Sequence, residues 1–340
     1  ADVVAWRLQG TPGETGGSWL PPPAMILPSD EGISSALEGA SRQVGDGQAA
    51  LVFVGDVGLG RTMEANLARY GLDYPWTGWG PLVPEAGLAI ANLEGVLTTQ
   101  GRPLDKSYLI RAHPYWAQTL DAAGFDLVAL ANNHALDYGQ EGLNETLDTM
   151  EAMGIGVVGA GRTAQDARRP ALYNLDGVRV AVLGYAAERW NGSEDVPATD
   201  RIAWAEPQSV QEDVRAVRNG SDLVVVLLHA GTEYASEPSA DQVAVAHAAI
   251  DAGADLVVGH HPHVTQTVER YDEGLIVYSL GDAVFDIPRR DAMRGHLLRV
   301  TAGQEGLIGA ELWPFWIEDA IRPRLLDDGQ GRPKVKVVYP

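Results

Sequence analysis

DLVVGHHPHV, residues 255–264, begins as a short apolar run and ends in three imidazoles, His260, His261 and His263. The run is β-branched, bounded by glycine and too short for a helix, so it reads as a buried central strand. Three imidazoles immediately beyond such a strand are costly to place without a ligand, because each ring nitrogen removed from water needs a partner.

The same arrangement recurs upstream. LVFVG is followed by Asp56, LAIAN by Glu94, LVALA by Asn133 and His134, and LVVVLL by His229. Five apolar strands thus release acid, amide or imidazole groups at their carboxyl ends, the edge where open α/β sheets collect ligands. The strands expected are Leu51–Gly55, Leu88–Asn92, Asp126–Ala131, Val178–Gly184, Leu223–Leu228, Asp255–Gly259 and Leu275–Leu280. Between them lie helical spacings at Trp116, Leu120 and Ala123, at Leu143, Leu147 and Met150, and at Val210, Val214 and Val217. Ser239 with Gln242 forms a capping box that opens a helix closed by Gly253. Asp176-Gly177, between Ala171–Leu175 and Val178–Leu183, reads as a tight hairpin, which makes the sheets of this α/β chain mixed.

A chain of 340 residues with 45 % hydrophobic and 21 % charged residues is ordinary for a globular protein. Its formal net charge of -21 argues against general nucleic-acid binding, which needs clustered Lys and Arg. A polyanionic substrate would need local positive charge from a metal or a few arginines. The absence of cysteine excludes disulfides and thiolate metal sites. No apolar run reaches bilayer length, so no transmembrane segment is expected in this chain. Residue 1 is Ala, which suggests a processed or trimmed chain, one compatible with removal of a signal peptide or anchor. Residues 1–48 carry Gly-rich and Pro-rich stretches and one helical pattern at Gly32–Gln43, and read as an extension of unknown role. Residues 49–300 read as the main domain and 301–340 as a tail packed on it.

Imidazole, carboxylate and amide oxygen together suit zinc, manganese, iron or nickel better than calcium or magnesium. Two such ions, roughly 3.5–4 Å apart, can orient a phosphoester and activate a water. Each residue has a plainer reading as well. Asp56 and Asn133 could be turn or N-cap residues, Asp137 could start the following helix, and His229 could be a core histidine. His247 reads as structural, and His113 and His296 carry no functional signal.

The stretches ALANNHALDYG (129–139), GHHPHV (259–264) and SLGDAVFD (279–286), with Asn92-Leu93-Glu94-Gly95, resemble the capsule-synthesis protein A (CapA/PgsA) family of the calcineurin-like metallophosphoesterase superfamily. That resemblance implies a four-layer αββα sandwich with two mixed sheets and one or two divalent transition metal ions. It implies that Asp56 and His263 ligate a first metal, that Asn133, His229 and His261 ligate a second, and that Glu94 bridges. It places His134 as general acid, with Asp137 orienting its ring, and Arg61 and Arg111 on an anionic substrate. The implied function is synthesis or export of capsule or poly-γ-glutamate at the cell envelope, outside the cytoplasm, with membrane-bound synthesis partners. Two alternatives stand beside it: a phosphoesterase or other hydrolase, acting on a phosphoester or amide with a metal-bound hydroxide, and a non-catalytic scaffold for an anionic polymer. The chain departs from the superfamily at Gly58, where a histidine is usual, and at Glu94, where aspartate is usual. Within the branch it departs at Ala230, where tryptophan is common, and at Asp282, where asparagine is common.

Overall fold

A computed structural model describes residues 45–187, 200–329, 332 and 334–339; the helical pattern expected at Gly32–Gln43 lies outside them. In chain order the first half contains β1 (Gln48–Val57), α1 (Thr62–Tyr70), β2 (Leu88–Leu93), β3 (Val96–Leu97), β4 (Arg111–Ala112), α2 (Gln118–Ala123), β5 (Leu127–Ala129), α3 (Gly139–Met153) and β6 (Gly156–Val158). There follow α4 (Ala164–Ala167), β7 (Ala171–Leu175), β8 (Val178–Ala186), α5 (Pro207–Arg218), β9 (Leu223–His229), α6 (Ala240–Asp251) and β10 (Leu256–His260). The last elements are β11 (Val268–Tyr271), β12 (Gly274–Val277), β13 (Asp282–Val284), β14 (Arg294–Gly303), β15 (Gly306–Glu318), β16 (Arg322–Leu325) and β17 (Lys336–Tyr339).

Two mixed sheets form. The first runs β16-β15-β14-β1-β2-β5-β6, with β13 also on β1 and β17 on β15; the second runs β11-β12-β10-β9-β8-β7. Alternation along β1 shows how they stack. Leu51 and Phe53 join Val182, Leu227 and Val258 of the second sheet in a core between the sheets. Val52 and Val54 point the other way, into a core shared with Met63 and Leu67 of α1 and Leu143 and Met150 of α3. On the far side Val224 and Val226 of β9 meet Val210 and Val214 of α5 and Ala246 and Ile250 of α6. Three apolar interfaces make four layers, helix, sheet, sheet and helix, as the resemblance implied. Truncating a side chain from the central interface, Phe53→Ala for instance, would cost about 3–5 kcal/mol.

The local signals took effect where expected. Ser239 and Gln242 exchange the reciprocal bonds of a capping box at the start of α6. Asp176 and Gly177 both take positive φ, 51° and 90°, in the two-residue turn that joins β7 to β8. The boundary read at 300 falls inside β14, and β15, β16 and β17 continue the first sheet. Aromatic packing that periodicity does not reveal supports this edge, where the Trp79 ring lies 5.4 Å from that of Phe315 on β15. The neighbouring Trp76 ring lies 5.3 Å from that of Phe125, just before β5.

Candidate metal centre

The carboxyl end of β1 lies between β2 and β13, both parallel to it, so Asp56 is level with Asn92 on one side and Asp282 on the other. Gly55 permits this approach, because a Cβ there would sit 1.7 Å from the carbonyl oxygen of Gly281. Asp56 is fully buried. It accepts hydrogen bonds from Asn92 Nδ2 at 2.8 Å and from the backbone N–H of His261 at 3.0 Å. The Nδ1 of His260 stands 3.4 Å away without forming a hydrogen bond.

In the second sheet β9 and β10 are parallel with His229 and His260 in register, which carries the histidine-rich turn to the edge where β1 and β2 end. Two residues of that turn, His261 and His263, have φ of 96° and 57°. Non-glycine residues in this region cost of order 1–3 kcal/mol each and persist where the surroundings impose them. Their side chains meet those from the first sheet. One group is Glu94, His229 and His261 and another is Asp56, His263 and Asp282, with donor atoms in each within 4.8 Å of one another. Nε2 of His229 is 2.9 Å from His261 Nδ1 and 3.0 Å from Asn133 Oδ1. All six residues that the resemblance assigned to metal therefore gather at one place, and Asp282 joins them.

Glu94 provides the test of whether these residues fit a metal. Both of its carboxylate oxygens are buried and neither has a hydrogen-bond partner. The nearest cationic candidates are His134 Nε2 at 3.7 Å and His263 Nε2 at 3.8 Å. A carboxylate taken out of water without a donor is strongly disfavoured, and a divalent cation between the two groups removes that cost. The residues fit.

Electrostatics agrees with that reading. Burial pushes the Glu94 carboxyl well up; His263 opposes this, while Asp56 and Asp282 add to it. Burial likewise raises Asp282 to about 7 against the pull of His263. Asp56 goes the other way: burial raises it, but His260, His229 and His263 outweigh burial and hold it below the usual carboxylate range. Burial disfavours protonation of His263, yet Asp282, Glu94 and Asp56 carry it up to about 10. Burial drives His229 and His261 well below the ordinary imidazole range, which leaves them neutral, the form that ligates.

Beside this cluster His134 and Asp137 form a second unit. His134 Nδ1 lies 2.7 Å from Asp137 Oδ2, which also accepts from the backbone N–H of Ile110 at 2.6 Å. Asp137 does not cap α3, whose N-cap is Tyr138. Lys106, from an irregular segment, donates to Asp137 Oδ1 at 2.6 Å and to the carbonyl of Asn133 at 2.8 Å. Burial lowers the pKa of His134 despite Asp137. Lys106 and Asp282 were absent from the residue set assigned by sequence. Lys106 had one signal, being the lone lysine before residue 334 in a chain whose other cations there are arginines.

The two arginines sit together, since a Cβ on Gly60 would touch the backbone of Arg111. Arg61 is paired with Asp286 and lies over the ring of Phe285. Arg111 is exposed, with its guanidinium 4.6 Å from the ring of Tyr138. Among the described residues neither forms a hydrogen bond or ion pair with the metal cluster, although the charge of Arg61 acts on Asp282 and lowers its pKa. His247 is structural, stacked on Tyr271 at 3.7 Å and bonded to Glu269.

Comparison with known proteins agrees with the motif reading. The chain is 34% identical over 244 residues to the "Capsule biosynthesis protein CapA" of Bacillus anthracis, covering 69% of this chain and 59% of that protein. It is 33% identical over 237 residues to the "PGA biosynthesis protein CapA" of Bacillus subtilis, covering 69% and 62%. A "Probable polyglutamine synthesis accessory protein" of Mycobacterium tuberculosis is 33% identical over 269 residues, covering 72% and 70%. The chain thus spans less than two thirds of the two Bacillus proteins. Among solved structures it is similar to the NAD nucleotidase of Haemophilus influenzae, with a TM-score of 0.49 and 13% identity over 86% of this chain and 60% of that one. A hypothetical protein from Thermus thermophilus gives a TM-score of 0.46 and 16% identity over 86% and 100%. Residues 50–287, the stretch that holds every residue of the cluster, match the family described as bacterial capsule synthesis protein PGA_cap, and the chain belongs to that family.

Proposed function

We propose that this protein serves capsule or poly-γ-glutamate biosynthesis at the cell envelope through a two-metal centre. In this reading Asp56 and His263 hold the first ion, Asn133, His229 and His261 the second, and Glu94 lies between them. The observation that carries it is Glu94, a buried carboxylate with no hydrogen-bond donor, which belongs to the group of His229 and His261 and lies 3.8 Å from His263 of the other. Bound divalent ions would supply Lewis-acid stabilisation of an anionic oxygen. Burial favours the neutral form of His229 and His261, the form of imidazole that ligates. Arg61 and Arg111, from adjoining backbone, would grip the carboxylates of the polymer, which the overall negative charge would otherwise repel.

A second reading, hydrolysis of a phosphoester or amide, rests on the His134–Asp137 pair. Asp137 holds the ring through Nδ1, so Nε2 points toward Glu94 and is the atom that would pass a proton to a leaving oxygen. Burial favours the neutral ring, so the proton is held at Nε2 only once negative charge gathers beside it. One experiment addresses both readings: protein reloaded with manganese is tested for poly-γ-glutamate binding and for cleavage of that polymer and of a generic phosphodiester. Metal-dependent polymer binding that weakens in Arg111→Ala supports the first reading. Cleavage lost in His134→Ala with metal retained supports the second. Absence of both would overturn the proposal.

A further inference from the structure

We infer that Asp282 is itself a ligand of the first metal, taking the part that Gly58 is unable to play; this rests on the metal reading above. Asp282 and Asp56 are register partners on adjacent parallel strands, so their side chains share one face of the sheet. Both are buried, at 1% and 0% exposure. His263 reaches both, its Nδ1 2.8 Å from Asp282 Oδ1 and 3.8 Å from Asp56 Oδ2. With Glu94, three buried carboxylates gather around His263. His260 Nδ1 lies 3.4 Å from Asp56 and His134 Nε2 3.7 Å from Glu94, but Asp282 has His263 alone as its ion-pair partner among the described residues. A divalent cation shared with Asp56 would balance that concentration of acid.

The same structure explains why position 58 carries no ligand. A Cβ on Gly58 would lie 2.8 Å from the ring of Phe285, a buried side chain packed edge-on to His263 at 5.0 Å. Any side chain at 58 must displace that ring. Phe285 and Asp282 belong to the same segment, so the segment that closes one ligand position supplies another. The resulting donor set, carboxylates with one imidazole, is richer in oxygen than the His229–His261 group and suits manganese.

The test is manganese binding to chelator-treated protein, read by equilibrium dialysis with elemental analysis, for wild type, Asp282→Asn and His261→Ala. Asparagine keeps the shape and an acceptor for His263 but removes the charge. The inference expects two equivalents for wild type and a tenfold or greater loss of affinity at one of them in Asp282→Asn. It also expects His261→Ala to weaken the other. Asp282→Asn binding two equivalents as tightly as wild type would overturn the inference alone, leaving Asp282 as the residue that orients the His263 ring. Wild type binding no manganese would overturn the metal reading and this inference with it. Anomalous scattering at the manganese edge from wild-type crystals reads the same question without a variant: a peak with no Asp282 oxygen in bonding reach sinks it.

Discussion

Glu94 Oε1 lies 3.8 Å from His263 Nε2, and each residue depends on a third party to be comfortable there. The carboxylate has no hydrogen bond, and the imidazole is hemmed in by acids. Burial makes ionisation of Glu94 costly, and Glu94→Gln removes the ionisable carboxyl, so its effect on stability should change sign with metal. In chelator the variant should be more stable than wild type by on the order of 1–3 kcal/mol. With saturating manganese the order should reverse, because ligand binding to the native state stabilises wild type more. Thermal melts in both conditions check this, and a variant less stable than wild type in chelator would contradict it.

Lys106 and Asp137 form a buried ion pair, with side chains 5% and 0% exposed. Removing the cation leaves Asp137 with its charge and two donors, His134 and the Ile110 amide. Lys106→Met should cost on the order of 3 kcal/mol in urea unfolding. Adding Asp137→Asn should recover part of that loss, and a double-mutant cycle measures the coupling. Additive losses would show that the pair is not a unit.

His296 on β14 sets one acid limb of stability. Burial, with help from Lys336, lowers its pKa from 6.5 to about 4. The unfolded chain therefore takes up the proton first as pH falls. This residue's contribution is full above about 6.5 and is lost as pH drops toward 4, by on the order of 2 kcal/mol after allowing for partial exposure. His296→Gln should flatten the fall between those limits; an unchanged slope of unfolding free energy against pH would contradict it.

Ser239 accepts from the N–H of Gln242 at 3.2 Å while its own N–H donates to Gln242 Oε1 at 2.9 Å. Ser239→Ala should cost about 1 kcal/mol by denaturant titration. Gln242 also reaches Gln266 at 3.0 Å, beyond the histidine turn, so the loss should appear in hydrogen exchange of that turn as well.

Much of the fold was legible because its signals are local. An apolar run closed by glycine makes a buried strand wherever it is placed, and Asp176-Gly177 makes its turn without help from distant residues. The polar residues at strand ends were legible for the same reason. What was hidden in Tyr74–Leu82 is an aromatic cluster whose partners, Phe125 and Phe315, are remote in sequence.

The sequence by itself determined the central strands β1, β2, β5, β8, β9, β10 and β12 and the β7–β8 hairpin, though not β14 to β17. It also showed that acids, an amide and imidazoles stand at strand carboxyl ends, since period and turn chemistry act over a few residues. Only the tertiary structure decided who meets whom. Sheet order put Asp56 beside Asp282, the irregular segment carrying Lys106 reached Asp137, and Phe285 filled the space over Gly58. Those contacts join residues tens to hundreds of positions apart, and pairing at that range follows from how layers stack, which no local pattern encodes.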